Sequence, residues 1–292
     1  NGPLAWNLLN VDTLRLLWER IAQLSGIKVL SGSAFSSMVQ RDREVIARLT
    51  CGTSVRARLV AGLDGRDSAV RDAAGISAHT TRYGQTALAF VVSHPVPHEN
   101  ISTEIYHCGG PFTTVPLPDQ ASSPASAVVW MNEAPYAKRL LAMEKREFEE
   151  VATARSAHWL GPLTLQSARR PWPIITRKAG ALTSHRTAVL AEAAHVVPPI
   201  GAQGLNTSLN DVAALADALT DVEDPGAPEV LRAYDRSRRA DIAARVAAID
   251  LFNRVTRSSL PWLQSLRLNG LKAVADTSIL RRTVMRAGMG NS

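Results

Sequence analysis

The sequence predicts a mixed α/β (α+β) fold: an α/β domain interrupted by an inserted antiparallel-sheet domain and followed by a C-terminal helical region. Three observations carry this expectation. A strand-like run at residues 55–61 enters the turn Gly62-Leu63-Asp64-Gly65-Arg66, and a helical pattern follows over residues 68–74; strand, tight turn and helix in that order mark α/β proteins. The middle of the chain then changes to short strand-like segments separated by Pro, Gly and Ser, the signature of an antiparallel sheet. A second strand-to-helix passage occupies residues 188–219.

Each element has its own local reason. Val11, Leu14, Leu17, Trp18, Ile21 and Leu24 recur at helical spacing, with Asn10 or Asp12 to cap the start and Gly26 to stop it. Strands are expected at residues 28–31, 44–50 and 55–61, and Gly75 ends the helix of residues 68–74. Residues 88–92, 102–107, 112–117 and 127–131 read as strands, with Ser122-Ser123-Pro124 as a plain loop. A polar helix is expected at residues 142–156, and strands resume at 163–168 and 174–176. Residues 188–192 read as a buried strand and 208–219 as a strong helix; a long helix fills 229–257, and two shorter ones are expected beyond Pro261. The organisation implied is a first segment at 1–82, an inserted sheet domain at 83–180, a returning strand, loop and helix at 181–225, and basic helices at 226–292.

Composition narrows the function classes. The chain has 292 residues, 46% of them hydrophobic and 20% charged, which excludes global disorder. Cys51 and Cys108 make no disulfide framework, no Cys/His cluster has zinc spacing, and a reducing compartment is expected. No apolar run reaches the ~18 residues that span a bilayer. The net charge of +7 is uneven: from Val230 onward basic residues outnumber acidic ones by 12 to 4. Such a tail suits an anionic membrane surface or an acidic partner. Nucleic acid is not expected, because the arginines are not interleaved with aromatics.

The chemistry concentrates in residues 188–219. A strand is expected to deliver Glu192 at its C-terminal end, where ligands of open α/β sheets bind. Pro198 and Pro199 stiffen the loop, Gly201 and Gly204 let backbone approach a flat or phosphorylated ligand, and a helix is expected directly after Asn206. The free N–H groups and positive dipole end of that helix favour an anion. Strand, carboxylate, Pro-Pro, Gly-x-x-Gly and helix in this order define a site for a large anionic cofactor.

The stretch from Leu190 to Leu219 resembles the second FAD motif of the flavin-dependent aromatic hydroxylases of the para-hydroxybenzoate hydroxylase type, and Gly62-Leu63-Asp64-Gly65-Arg66-Asp67-Ser68 resembles that family's internal Asp-Gly motif. Gly110-Pro111-Phe112, Pro116-Leu117-Pro118, Val128-Val129-Trp130 and the segment from Asp250 to Arg282 are similar to the ubiquinone-biosynthesis branch. The resemblance implies a partial FAD-binding domain, a substrate-binding sheet domain, FAD as cofactor and NAD(P)H as co-substrate. The implied reaction hydroxylates a polyprenylated phenol with O2 through a flavin C4a-hydroperoxide. It places Glu192 on the FAD ribitol, and Gly201, Gln203, Gly204, Leu205 and Asn206 along the isoalloxazine edge. Pro199 falls on the substrate side, Asp64 and Gly65 near the pyrophosphate, and Arg66 in support of that loop. A cytoplasmic enzyme, touching the inner membrane or ubiquinone-biosynthesis proteins through its basic tail, is the corresponding localisation.

Three departures from the family pattern stand out. The Gly-x-Gly-x-x-Gly unit of the first FAD motif is missing, so the chain is expected to begin after it. Ala191-Glu192 replaces Gly-Asp, and Ala202 replaces a glycine. Two further readings therefore stay open: a hydroxylase of a soluble aromatic compound, and a non-catalytic remnant or assembly partner of the same fold. No residue is assigned as catalytic. His195 is read as a satisfied structural histidine, Asp211 as a first-turn helix acid, and Trp130, Trp159 and Trp172 as core rather than pocket lining.

Overall fold

The structure, a computed structural model, describes residues 6–107, 110–120, 123–200 and 203–257. In chain order the elements are α1 (Asn10–Ala22), β1 (Phe35–Gln40), β2 (Val45–Leu49), β3 (Ser54–Ala57), β4 (Val60–Gly62), α2 (Ala69–Ala73), β5 (Ala78–Ser93), β6 (Thr103–His107), β7 (Gly110–Gln120) and β8 (Ser123–Glu133). There follow α3 (Ala134–Ala142), α4 (Lys145–Arg155), β9 (Thr164–Leu165), β10 (Arg170–Ala179), β11 (Thr183–Ser184), β12 (Thr187–Val189), a 3-10 turn at Ala191–Ala193, β13 (His195–Val196), α5 (Gln203–Ala218) and α6 (Pro228–Arg257). The chain divides into two compact units. One holds Asn1–Ser33, Ala87–Tyr106 and Pro111–Trp172; the other holds Ala34–Thr86, His107–Gly110 and Pro173–Ser292. None of the helices among the described residues is long and apolar enough to cross a membrane.

In the first unit β7 and β8 pair antiparallel, with Phe112 opposite Trp130 and Val115 opposite Ala127. Alternation along these strands sends Phe112, Val128 and Trp130 to one face. There they meet Phe90, Phe148 and Leu140 in a fully apolar cluster. Trp130 stands edge-on to Phe112 at 5.4 Å, the arrangement ring quadrupoles favour. The helical segment expected at 142–156 is two helices: Pro135 starts α3 near its first position, and Met143 turns extended before α4 begins. Proline is pre-set for that place because its missing N–H has no intrahelical partner there anyway. Ser123 and Pro124 open β8 instead of forming a loop. Residues 28–31 form no strand. The helical spacing of α1 produces a helix, but none of its side chains is buried, so its apolar positions face solvent rather than a core.

The second unit contains a parallel pairing. β4 runs parallel to β12, with Val60 beside Thr187 and Gly62 beside Val189, and β11 closes this small sheet on the far side of β12. The run expected at 55–61 divides, because its two halves join different sheets. β3 pairs antiparallel with β2, whereas Val60 donates to the Arg186 carbonyl at 3.0 Å. α5 and α6 pack on this sheet around Ala188, Val189, Leu190, Leu215, Leu231 and Tyr234, and the Tyr234 hydroxyl donates to the Val189 carbonyl at 3.0 Å. The strand expected at 188–192 stops at Val189, and the backbone turns into the 3-10 segment. Similarly, residues 163–168 yield only the two-residue β9. Cys108, Ser122, Gly201 and the helices expected beyond Pro261 lie outside the described residues.

Candidate functional site

The nine residues singled out in the sequence fall in the second unit, and eight of them are described. β4 feeds the Asp64-Gly65-Arg66 turn. Gly65 has φ +87°, a conformation a Cβ disfavours. Asp64 is committed locally: Ser68 Oγ donates to its Oδ1, and the Val70 N–H donates to its Oδ2 at 3.0 Å. Ser68 in turn accepts from the Arg71 N–H at 2.9 Å. This Asp–Ser relay caps the start of α2, which is too short to hold itself together by propagation. Two arginines hold the loop from behind. Arg71 and Arg177 both donate to the Arg66 carbonyl, and Arg177 pairs with Asp67 at 2.6 Å. That pairing holds the Asp67 carboxyl below the usual range.

Glu192 lies in the 3-10 turn, not at a strand end, and its side chain is 51% exposed. Arg66 approaches it at 3.9 Å. Pro199 is exposed, whereas Pro198 and Ile200 are buried. The expected helix start after Asn206 lies earlier. Gln203, Gly204, Leu205 and Asn206 form the first described turn of α5, the end of the helix at which its dipole is positive. No atom comes within 4 Å of where a Cβ on Gly204 would sit, and Leu205 is 65% exposed. These features would suit a large anionic cofactor: an accessible carboxylate, a guanidinium near it, the positive end of a 16-residue helix, and open space over a glycine.

Below this surface lies a network that the sequence did not announce. Because α5 begins at Gln203, Asp211 falls in its third turn rather than its first, and it is completely buried. Its Oδ2 accepts from His195 Nε2 at 2.6 Å and from the Ala191 N–H at 2.9 Å; its Oδ1 accepts from Arg238 Nε at 2.8 Å. Burial pushes the Asp211 carboxyl up, but the bonds from His195, Arg238 and Ala191 outweigh it and leave the group below its ordinary value. Arg238 continues to Asp241 at 2.8 Å, and Asp241 to Arg245 at 2.8 Å. The signal was present in the sequence: Thr207, Asp211 and Leu215 share the buried stripe of α5, and a carboxylate on such a stripe demands partners. His195 is, as read, a satisfied structural histidine.

Other sequence readings resolve differently. Trp130 is core, but Trp159 and Trp172 are more than half exposed. His94 bonds to Ser126 Oγ at 2.9 Å and to the Val96 carbonyl at 2.8 Å. A cavity of about 520 Å³ opens between α6 and the ends of β5 and β10, lined by His79, Lys178, Arg239, Ile242 and Val246 among others. None of the described sequence-selected site residues lines it.

Comparison with known proteins shows the family and the fold. A family model described as an FAD binding domain matches residues 3–249, and the chain belongs to that family. It is 33% identical to ubiquinone hydroxylase UbiL of Rhodospirillum rubrum over 99% of this chain and 67% of that protein. It is 26% identical to the 3-demethoxyubiquinol 3-hydroxylase of Escherichia coli over 98% of this chain and 73% of that one. In fold it is similar to the p-nitrophenol 4-monooxygenase PnpA of Pseudomonas putida, with a TM-score of 0.76 at 20% identity, covering 98% of this chain and 73% of that chain. The chain thus spans about two thirds to three quarters of these relatives' lengths, and other relatives of the ubiquinone monooxygenase type are covered to 56–60%.

Proposed function

We propose that this chain serves an FAD- and NAD(P)H-dependent monooxygenase that hydroxylates the aromatic ring of a polyprenylated phenol in ubiquinone biosynthesis. The observation that carries the reading is the exposed Glu192 carboxylate with Arg66 3.9 Å away, in the same unit as the start of α5. Glu192 would accept from ribitol hydroxyls. The N–H groups of Gln203, Gly204, Leu205 and Asn206 would favour negative charge on a reduced ring, with Gly201 continuing that edge and Pro199 shaping its substrate side. Asp64 acts by holding the α2 start and hence the Gly65–Arg66 backbone that faces the cofactor. Bound flavin supplies hydride acceptance and O2 activation; the protein supplies binding, orientation and exclusion of water.

The similarity to a ubiquinone hydroxylase and a 3-demethoxyubiquinol 3-hydroxylase supports this substrate class. A lipid-linked phenol also gives the basic residues Arg267, Lys272, Arg281, Arg282 and Arg286 a use as a contact to anionic lipid from the cytoplasmic side. Incubation of the FAD-loaded protein with NADH or NADPH, a short-chain prenylphenol and isotopically labelled dioxygen tests the reading. One labelled oxygen in the product ring supports it. NAD(P)H oxidation without labelled product overturns it.

A further inference from the structure

We propose that Asp211 is a positioning residue for the flavin-facing turn at Ala191–Glu192, with His195 and Arg238 fixing its carboxylate. The proposal rests on the flavin reading above and assigns a residue that reading does not use. Ala191 has φ +54°, in the left-handed region that a residue with a Cβ disfavours. Something must hold it there, and the Ala191 N–H is bonded to Asp211 Oδ2 at 2.9 Å. Glu192 is the next residue, so the left-handed turn sets the direction in which its side chain leaves the backbone toward Arg66. If Ala191 relaxed to ordinary φ, the Glu192 carboxylate would leave its place.

Asp211 can act as this anchor because it is itself over-determined. His195 Nε2 at 2.6 Å and Arg238 Nε at 2.8 Å approach its two oxygens from β13 and α6. From Arg238 the chain of ion pairs runs through Asp241 to Arg245, whose Nη1 lies 3.5 Å from Gln203 Oε1 in the first turn of α5. One buried carboxylate is thereby linked to both segments proposed to face the flavin. Arg71, donating to the Ala193 carbonyl at 3.2 Å, braces the same turn from α2.

Asp211→Asn tests this, because an amide cannot accept from all three donors at once. FAD titration, followed by quenching of flavin fluorescence, is expected to show about 10–100-fold weaker binding, the loss corresponding to one charge-assisted hydrogen bond. Adding Ala191→Gly, which makes the left-handed turn unstrained, is expected to restore part of the affinity. A purely structural role for Asp211 would not give that rescue at matched stability. In the protein without FAD, hydrogen exchange at residues 191–193 is expected to quicken in Asp211→Asn while β7 and β8 stay protected. Arg238→Lys reads the same anchor if Asp211→Asn does not fold. Wild-type affinity in a folded Asp211 or Arg238 variant overturns the positioning role and leaves the flavin reading standing. Absence of flavin binding by the wild-type protein overturns the flavin reading and the role with it.

Discussion

At the residue scale, two backbone positions carry most of the testable content. Ala191 occupies a left-handed conformation, so Ala191→Gly should stabilise the protein by about 0.5–1 kcal/mol, strain relief exceeding the extra chain entropy of glycine. Urea unfolding checks this through a raised midpoint at unchanged slope. Gly226 is the reverse case: a Cβ there would meet the Arg58 carbonyl at 2.2 Å and Arg186 Nη1 at 2.4 Å. Gly226→Ala should therefore cost about 2–3 kcal/mol, an overpacking penalty, and lower the thermal midpoint. The buried Arg186 pairs with both oxygens of Asp224, which lowers the Asp224 carboxyl to about 2. A depressed carboxylate stabilises the fold above its ordinary value near 4 and loses that contribution as pH falls through about 2. Asp224→Asn should flatten the acid limb of stability between those values. Arg177 and Arg186 were not legible in the sequence, because their carboxylate partners, Asp67 and Asp224, stand 110 and 38 residues away and leave no local pattern.

At the element scale, the sequence reading located helices better than strand ends. The polar cap Ser68 and the stop Gly75 bracket α2 as expected, because both act through local backbone groups. Removal of the cap by Ser68→Ala should cost about 1 kcal/mol and also free Asp64 Oδ1; a melting scan of the variant reads the effect. Strand limits, by contrast, depend on which partner strand is present. Residues 55–61 look continuous, yet β3 and β4 join different sheets. Residues 188–192 look like one strand, yet β12 ends when β4 ends beside it at Gly62. The early start of α5 was missed because Gly204 and Asn206 read as loop residues, although a glycine in a first turn is tolerated at about 1 kcal/mol. The same shift moved Asp211 from the first turn to a buried third one, and so from a dipole-favourable acid to the hub of a network.

At the scale of the whole molecule, an apolar cluster organises each unit, and the site residues gather in only one of them. Periodicity predicted a helix at α1 correctly but not its exposure, since an apolar stripe shows what a helix could bury and not whether a surface meets it. The concentration of charge after Val230 also looks different in three dimensions. Within α6, Asp235, Asp241 and Asp250 each pair with an arginine one turn along, which leaves less free positive charge on this helix than the sequence count suggests. The central claim is that the exposed Glu192, Arg66 and the α5 first turn form a flavin seat anchored by Asp211. Titration of the purified, folded chain with FAD, followed in the visible absorbance band, tests it most directly. A shifted, resolved band that saturates, and that weakens in Glu192→Ala, is the predicted result; an unperturbed flavin spectrum in the folded protein would contradict the account.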